Sequence, residues 1–175
     1  MAVLNISRLS LSYDAAEDRF RLAACDAGGR TLGLWLTRRL TMGVVTMMRG
    51  CLEASSAVAR QTLPNLRARV MAIEHIALSE WRTGEDGPPV RAQEPGIVVT
   101  GANLRRKGRG YVLVFFGGEQ ELAVMRLNDR MLHRLAGTLA RKMEDAGWTT
   151  GFDPDWVAEK AVATAGPGRE KRTMN

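Results

Sequence analysis

The spacing of apolar side chains predicts three strands at the start of the chain. Residues 3–13 alternate apolar and small polar side chains, which is typical of a half-buried strand. A second alternating run covers 19–25 and a third covers 30–36. Gly28 and Gly29 stand between these two runs, and glycine adopts the positive φ angles of a tight turn at little cost. We therefore expect the second and third strands to form an antiparallel hairpin.

After the third strand the apolar spacing changes to that of an α-helix. Leu40, Val44 and Cys51 recur at helical intervals. Thr37 precedes this run, and its hydroxyl is suited to accept a hydrogen bond from an early helical amide. The first unit therefore has the order strand, strand, strand, helix over residues 3–52.

The same plan returns 91 residues later without a gap. Residues 109–143 repeat the apolar positions of 18–52, and Asn128, another good capping residue, stands where the first copy has Thr37. Coinciding apolar positions over this length indicate an internal repeat. The matching pairs are Phe20 with Tyr111, Leu22 with Leu113, Leu34 with Met125, Leu36 with Leu127, Leu40 with Met131 and Val44 with Leu135.

These patterns predict an α+β fold of tandem β-β-β-α repeats, with an antiparallel sheet, helices packed on one face and an extra helix between the repeats. We expect a single domain over residues 1–164. Its two units cover 3–52 and 96–146, a helical insert at 53–83 and a loop at 84–95 join them, and a mobile basic tail covers 165–175.

The helical insert contains one clear helix start, because proline is tolerated in the first turn of a helix. We place that start near Pro64. An apolar stripe at helical spacing follows it. The stripe consists of Leu66, Val70, Ile73, Ala77 and Trp81.

The two copies differ on the strand face that points away from their helices. The first copy has mostly polar or small side chains there, whereas the second copy is apolar. Strands that are apolar on both faces are buried on both faces, so something must cover the second copy. The insert helix is the favoured cover, and a subunit interface is the alternative. The residues to be covered are Val112, Val114, Phe116, Leu122 and Val124.

The copies also differ in the charge of the loop between their first and second strands. The first copy has three carboxylates there, whereas the second has four cations within five residues. Such a basic loop binds phosphate, meets an acidic protein surface such as the acidic loop of another subunit, or is merely solvated. The acidic residues are Asp14, Glu17 and Asp18, and the basic ones are Arg105, Arg106, Lys107 and Arg109.

Composition leaves the partner open. The chain has 175 residues, 45% of them apolar and 25% charged, as in a folded single domain. Its net charge of +6 permits contact with nucleic acid but does not require it. Cys25 and Cys51 have no CxxC spacing and are expected to be small buried hydrophobes. Neither a secretory pattern nor a run of about 20 apolar residues is present, so we expect a cytoplasmic protein.

Known catalytic and cofactor motifs are missing from the sequence. The only histidines are His75 and His133, and neither stands at a metal-ligand spacing; His133 is expected at the surface. Gly28-Gly29 and Gly117-Gly118 are hairpin turns rather than phosphate-binding loops. We therefore expect no enzyme activity, no cofactor and no metal.

The strand and helix layout resembles that of Whirly-type and PUR-type binders of single-stranded nucleic acid, whose units also run from an antiparallel sheet into a helix. This resemblance implies an open sheet face with aromatic side chains for base stacking. Trp35, with Arg21 beside it, is the candidate on that face. In the second copy Arg126 stands where the first copy has Trp35.

Two functions remain open at the level of sequence. The first is a non-catalytic binding or assembly protein that acts through protein–protein contacts and self-associates, without a membrane. The alternative is a single-stranded DNA- or RNA-binding protein that uses the loop at 105–109 and the Trp35 face.

Overall fold

A computed structural model describes residues 2–79, 89–92 and 95–148 of the chain. The structure is mixed α+β, with two four-stranded sheets and helices packed against them. Trp81, part of the predicted loop at 84–95 and the predicted tail 165–175 lie outside the described residues.

The described residues form eight strands and four α-helices. The strands are β1 (Leu4–Ile6), β2 (Arg8–Asp14), β3 (Arg19–Cys25), β4 (Thr31–Thr37), β5 (Ile97–Val98), β6 (Gly101–Lys107), β7 (Gly110–Gly117) and β8 (Gln120–Leu127). The helices are α1 (Arg38–Ser55), α2 (Ala57–Gln61), α3 (Arg67–Ser79) and α4 (Asp129–Asp145), with a 3-10 turn at Pro64–Leu66.

Each sheet combines three antiparallel strands of one half of the chain with one short parallel strand from the other half. Sheet I has the order β2-β3-β4-β5, and sheet II has the order β1-β8-β7-β6. β1 runs parallel to β8, and β5 runs parallel to β4. The expectation of purely antiparallel pairing is therefore wrong at these two edges.

The exchange of strands occurs at two points where the continuous backbone passes from one sheet to the other. The amide of Ser7 donates to Cys25 O at 2.9 Å, at the point where the chain passes from sheet II to sheet I. At the second point, Val99 N donates to Trp35 O at 2.9 Å in sheet I, and Thr100 N donates to Phe116 O at 2.8 Å in sheet II. What the sequence predicts as one strand at 3–13 is thus two strands in different sheets.

The main core lies between the helices and the inner faces of both sheets. Cross-strand register puts Phe20 beside Leu36 and Leu22 beside Leu34 in sheet I, all four of them buried. Sheet II contributes the matching buried set Leu113, Phe115, Met125 and Leu127. The buried side of α1 includes Val44, Met48 and Leu52, and that of α4 includes Leu132, Leu135, Leu139 and Met143.

Both predicted helix caps are confirmed. The Thr37 hydroxyl accepts a hydrogen bond from Leu40 N at 3.3 Å, and Asn128 Oδ1 accepts one from Met131 N at 2.8 Å. α4 ends where Gly147 takes a φ of 68°, and Gly147 N donates to Glu144 O at 2.9 Å. Glycine accepts this left-handed conformation without the penalty that a Cβ brings.

Candidate interaction surfaces

The four cations of the predicted basic loop form a hairpin end rather than a loop. Arg105, Arg106 and Lys107 belong to β6, an edge strand of sheet II, and Arg109 lies in the turn to β7. All four are exposed. We call these four residues the basic hairpin. Charged side chains on an edge strand also discourage pairing with another chain, which is their ordinary structural role.

Strand alternation separates the cations of the basic hairpin. Arg105 stands opposite Val112, and Arg106 stands opposite Tyr111, so these two arginines lie on opposite faces of sheet II. Arg126 also stands opposite Val112, on the outer face. The outer face therefore carries a basic border formed by Arg105, Lys107 and Arg126.

The predicted apolar outer face of sheet II is largely buried within the single chain. Val112, Val114 and Leu122 are buried, whereas Phe116 and Val124 are half-buried. From the sequence, the insert helix was expected to cover this face. That expectation is wrong, because α3 packs against α4 and α2. Arg105 and Arg126 stand opposite Val112, and long arginine stems are able to shield an apolar neighbour.

The Arg21–Trp35 face of sheet I is not an open platform in this structure. The Arg21 guanidinium lies 5.8 Å from the Trp35 ring centre, and its Nη2 donates to Ala92 O at 3.1 Å. Val90 N donates to Ser10 Oγ at 2.8 Å. At Gly96, an added Cβ would lie 2.8 Å from Trp35 Nε1. Val90, Ala92 and Gly96, which belong to the connection between the two halves, therefore lie against this face.

The acidic turn, Asp14, Glu17 and Asp18, is held by hydrogen bonds within its own chain. Asp14 Oδ1 accepts from the amides of Ala16 and Glu17 at 3.0 and 3.1 Å. Asp18 Oδ1 accepts from Tyr13 Oη and from Trp148 Nε1, both at 2.7 Å. These two donors, Tyr13 first, lower the pKa of the Asp18 carboxyl. Glu17 forms an ion pair with Arg19 at 3.7 Å.

Two histidines meet between α3 and α4, a contact that the sequence did not predict. His75 Nδ1 lies 3.2 Å from His133 Nδ1, and both side chains are buried. The expectation that His133 lies at the surface is therefore wrong. Burial lowers the pKa of His133, and the nearby carboxylates of Glu74 and Asp129 oppose that effect. A hydrogen bond between these two nitrogens requires one of them to carry a proton and the other to lack it.

Several exposed apolar side chains lie on the helical insert. Among the α3 side chains that the structure describes, Met71, Ala72 and His75 are buried, and the predicted stripe faces the other way. We call Leu66, Val70, Ile73 and Ala77 the outer stripe. Ile73 is 68% exposed and Leu66 is 40% exposed, and Val70 is half-buried. Among the residues whose side chains the structure describes, four of the six exposed large hydrophobic ones lie between 58 and 73, namely Val58, Leu63, Leu66 and Ile73.

The outer stripe is recognisable in the sequence, but it was expected to pack against the rest of the chain, whereas Leu66 and Ile73 are exposed. Helical spacing identifies residues that share a face, and it does not state what that face contacts. The buried residues described on α3 are Met71, Ala72 and His75, and an alanine and a histidine do not mark a core-facing side in the sequence. The stronger stripe is the one left exposed.

No protein-family model matches the chain, and no curated protein matches it in sequence. In the part of the chain that the structure describes, no cluster of three or more histidine, cysteine or acidic side chains is placed to hold a metal ion. No described helix has the length and hydropathy of a membrane span.

Proposed function

We propose that this chain is a non-catalytic binding or assembly protein that acts through protein–protein contacts. The observation that carries the proposal is the exposed outer stripe of α3. A fully buried Leu or Ile side chain is worth about 1.5–3 kcal/mol relative to an exposed one. An exposed row of apolar side chains is therefore a candidate binding surface for another protein.

The opposite side of α3 strengthens this argument. α3 already packs against α4, with His75 beside His133, and Met71 and Ala72 of α3 are also buried. A helix that is apolar on both sides is typical of a position between two packing partners. The fold supplies one partner, and the proposal is that another protein surface supplies the second.

The sheet surfaces support the proposal less directly. Of the five apolar residues in the predicted interface, Val112, Val114 and Leu122 are already buried in one chain, and Phe116 and Val124 still offer surface to a partner. The carboxylates of Asp14 and Asp18 accept hydrogen bonds within their own chain. Their use as counter-charges in self-association stays a prediction.

Substitution within the outer stripe tests the proposed function. Ile73→Asp should abolish protein association in cells, because a carboxylate replaces an exposed apolar side chain at the centre of the stripe. Crosslinking of the tagged full chain, read by mass spectrometry, should give crosslinks from the insert that are absent in the variant. Met131→Asp, a similar change at an exposed position on α4, is the matched control. Identical crosslinks in all three proteins would contradict the proposal.

Single-stranded nucleic-acid binding is the second candidate function. The basic border Arg105, Lys107 and Arg126 favours it, because these cations share the outer face of sheet II with the half-buried Phe116. Phosphate contacts supply most sequence-independent affinity for nucleic acid, and an aromatic ring adds stacking. The covered Arg21–Trp35 face contributes no open platform to this candidate.

Neutralising the basic hairpin separates the two candidates. The variant with Arg105, Arg106, Lys107 and Arg109 all changed to Gln should fold normally, since exposed substitutions usually change stability within about 0.5 kcal/mol each. If the chain binds single strands, affinity for unrelated oligonucleotides should fall alike, with the salt slope reduced by about 0.7 per lost phosphate contact. Fluorescence anisotropy at several salt concentrations measures both. Unchanged binding would exclude the hairpin as the phosphate site.

Two further expectations belong to the proposal. The halves share the element order β-β-β-α, in β2-β3-β4-α1 and β6-β7-β8-α4, with a capping side chain at Thr37 and at Asn128. This shared order supports the tandem repeat, which stays a prediction. The cytoplasmic location also stays a prediction.

A further inference from the structure

We infer that the outer stripe of α3 binds the same stripe of a second copy of this chain, so that the protein forms a homodimer. The inference rests on the proposed function and names the partner that the same surface fits. Three observations carry it: the spacing of the stripe, the charges beside it and the exposed residues that extend it.

The spacing of the stripe is that of a helix that pairs with another helix. Val70, Ile73 and Ala77 follow one another on α3 at intervals of three and four residues, and Leu66, in the 3-10 turn that precedes α3, stands four residues before Val70. This is the spacing of the a and d positions of a coiled coil, whose side chains fit between those of a facing helix. The two central positions are the β-branched Val70 and Ile73, which have restricted side-chain rotamers and pack well.

The charged residues beside the stripe of one copy are complementary to those beside the stripe of a second copy. Helical geometry places Arg67 and Glu74 on one flank of the stripe and Arg69 on the other. In an antiparallel pair of helices, residues on the same flank face each other, so Arg67 faces Glu74 of the partner subunit. In a parallel pair opposite flanks meet, and Arg69 faces Glu74 of the partner subunit.

Glu74 is able to serve both its own chain and a partner. Its Oε2 accepts a hydrogen bond from Ser56 Oγ at 2.6 Å, and its side chain is half-buried. A carboxylate accepts about four hydrogen bonds, so capacity remains for an arginine. Ser56 is buried, so this bond orders the Glu74 carboxylate through one oxygen and reduces the entropy lost when the second oxygen forms an ion pair.

Exposed residues next to the stripe enlarge the surface. A 13-residue helix is about 20 Å long, and two such helices alone cover less than the roughly 1,200–2,000 Å² of a stable interface. Val58 on α2 and Leu63 before the 3-10 turn are 61% and 66% exposed, and α2 packs against α3. With these residues included, we expect a dimer with a dissociation constant on the order of micromolar.

Sedimentation equilibrium of the purified full chain, over about 1–300 μM, tests the inference. The apparent mass should rise toward twice the 19.2 kDa of one chain. Ile73→Asp should raise the dissociation constant about 100-fold or more, because the apolar layer would receive two carboxylates. Met131→Asp should leave it unchanged. Circular dichroism checks that both variants are folded.

Two charge reversals test the pairing itself. Arg67→Glu should weaken an antiparallel dimer several-fold, and Arg69→Glu should weaken a parallel one, since each places two carboxylates face to face. One of the two variants is expected to respond strongly. If neither changes the dissociation constant, the proposed helix pairing is wrong.

Failure of this inference is distinguishable from failure of the proposed function. A chain that stays monomeric at every concentration, or a dimer that Ile73→Asp leaves intact, overturns the inference. If the chain is monomeric and its crosslinks to another protein still depend on Ile73, the proposed function stands with a different partner. If no stripe-dependent association exists in either experiment, both fall.

Discussion

Val114→Asp is expected to lower the free energy of unfolding by about 3–5 kcal/mol, the largest effect we expect from a single outer-face substitution. Val114 is 4% exposed although it points away from the Leu113 face. Its cross-strand neighbours are Asn103 and Val124, and neither offers a positive charge. A carboxylate there would be desolvated and unpaired, which is strongly unfavourable.

Val112→Asp is the matched control for this prediction. Val112 is similarly buried at 7% exposure, but Arg105 and Arg126 stand directly opposite it on either side. A carboxylate at this position gains two cations within reach, so the loss of stability should be clearly smaller. Phe116→Asp should also cost less, because Phe116 is half-buried.

Urea unfolding of the wild type and these variants measures the differences. The expected order of destabilisation is Val114→Asp first, with Val112→Asp and Phe116→Asp well behind. Equal losses for Val114→Asp and Val112→Asp would show that the opposing arginines do not reach the outer face. An unchanged Val114→Asp variant would show that the outer face is open to water.

Lowering the pH is expected to destabilise the fold over a pH range that depends on the lowered pKa of His133. The pKa of His133 is lowered by burial in the folded chain, so the unfolded chain binds a proton more readily. The stabilising contribution is therefore complete above the unfolded value of about 6.5 and is lost progressively as pH falls below it. Within this range the loss is about 1.4 kcal/mol for each pH unit.

His75 faces His133 directly, with its Nδ1 3.2 Å from His133 Nδ1. Glu74 and Asp129 oppose the shift at His133 but do not reverse it. The helices held together by this pair are α3 and α4, so the helical insert should loosen first.

Thermal unfolding between pH 8 and pH 5 measures the effect. The wild-type melting temperature should decline below about pH 6.5, and His133→Gln should flatten the decline. The lowered pKa of Asp18 acts only below its ordinary value of 3.8, where its stabilising contribution is lost as pH falls. A wild-type profile that is flat down to pH 5 would contradict the role of the histidine pair.

The elements themselves were largely predictable because their signals are local. Alternation in 19–25 and 30–36 predicts β3 and β4 to within one residue. Thr37 and Asn128 cap the helices that they precede, and Gly147 ends α4, because each of these roles depends only on neighbouring backbone groups. The inner faces of both sheets follow from the same alternation.

The exchange of strands between the sheets required the tertiary structure, although a trace of it is present in the sequence. Leu4 and Ile6 alternate in one phase, and Leu9 and Leu11 alternate in the other, with the change at Ser7. A phase change indicates that the strand turns its other face to the core. It does not indicate which sheet receives the chain, because that depends on long-range pairing.

The environment of each face was likewise decided only by the tertiary structure. Sequence by itself determined that Leu66, Val70 and Ile73 share one side of a helix, and that Val112 and Val114 share one side of a strand. Packing then left Leu66 and Ile73 exposed and Val70 half-buried. Burial of the second set was expected from its apolar character, but what covers it was not. Periodicity is a property of one element, whereas burial depends on the neighbours that the fold brings against it. His133 shows the same limit, because its partner His75 is 58 residues away in the chain.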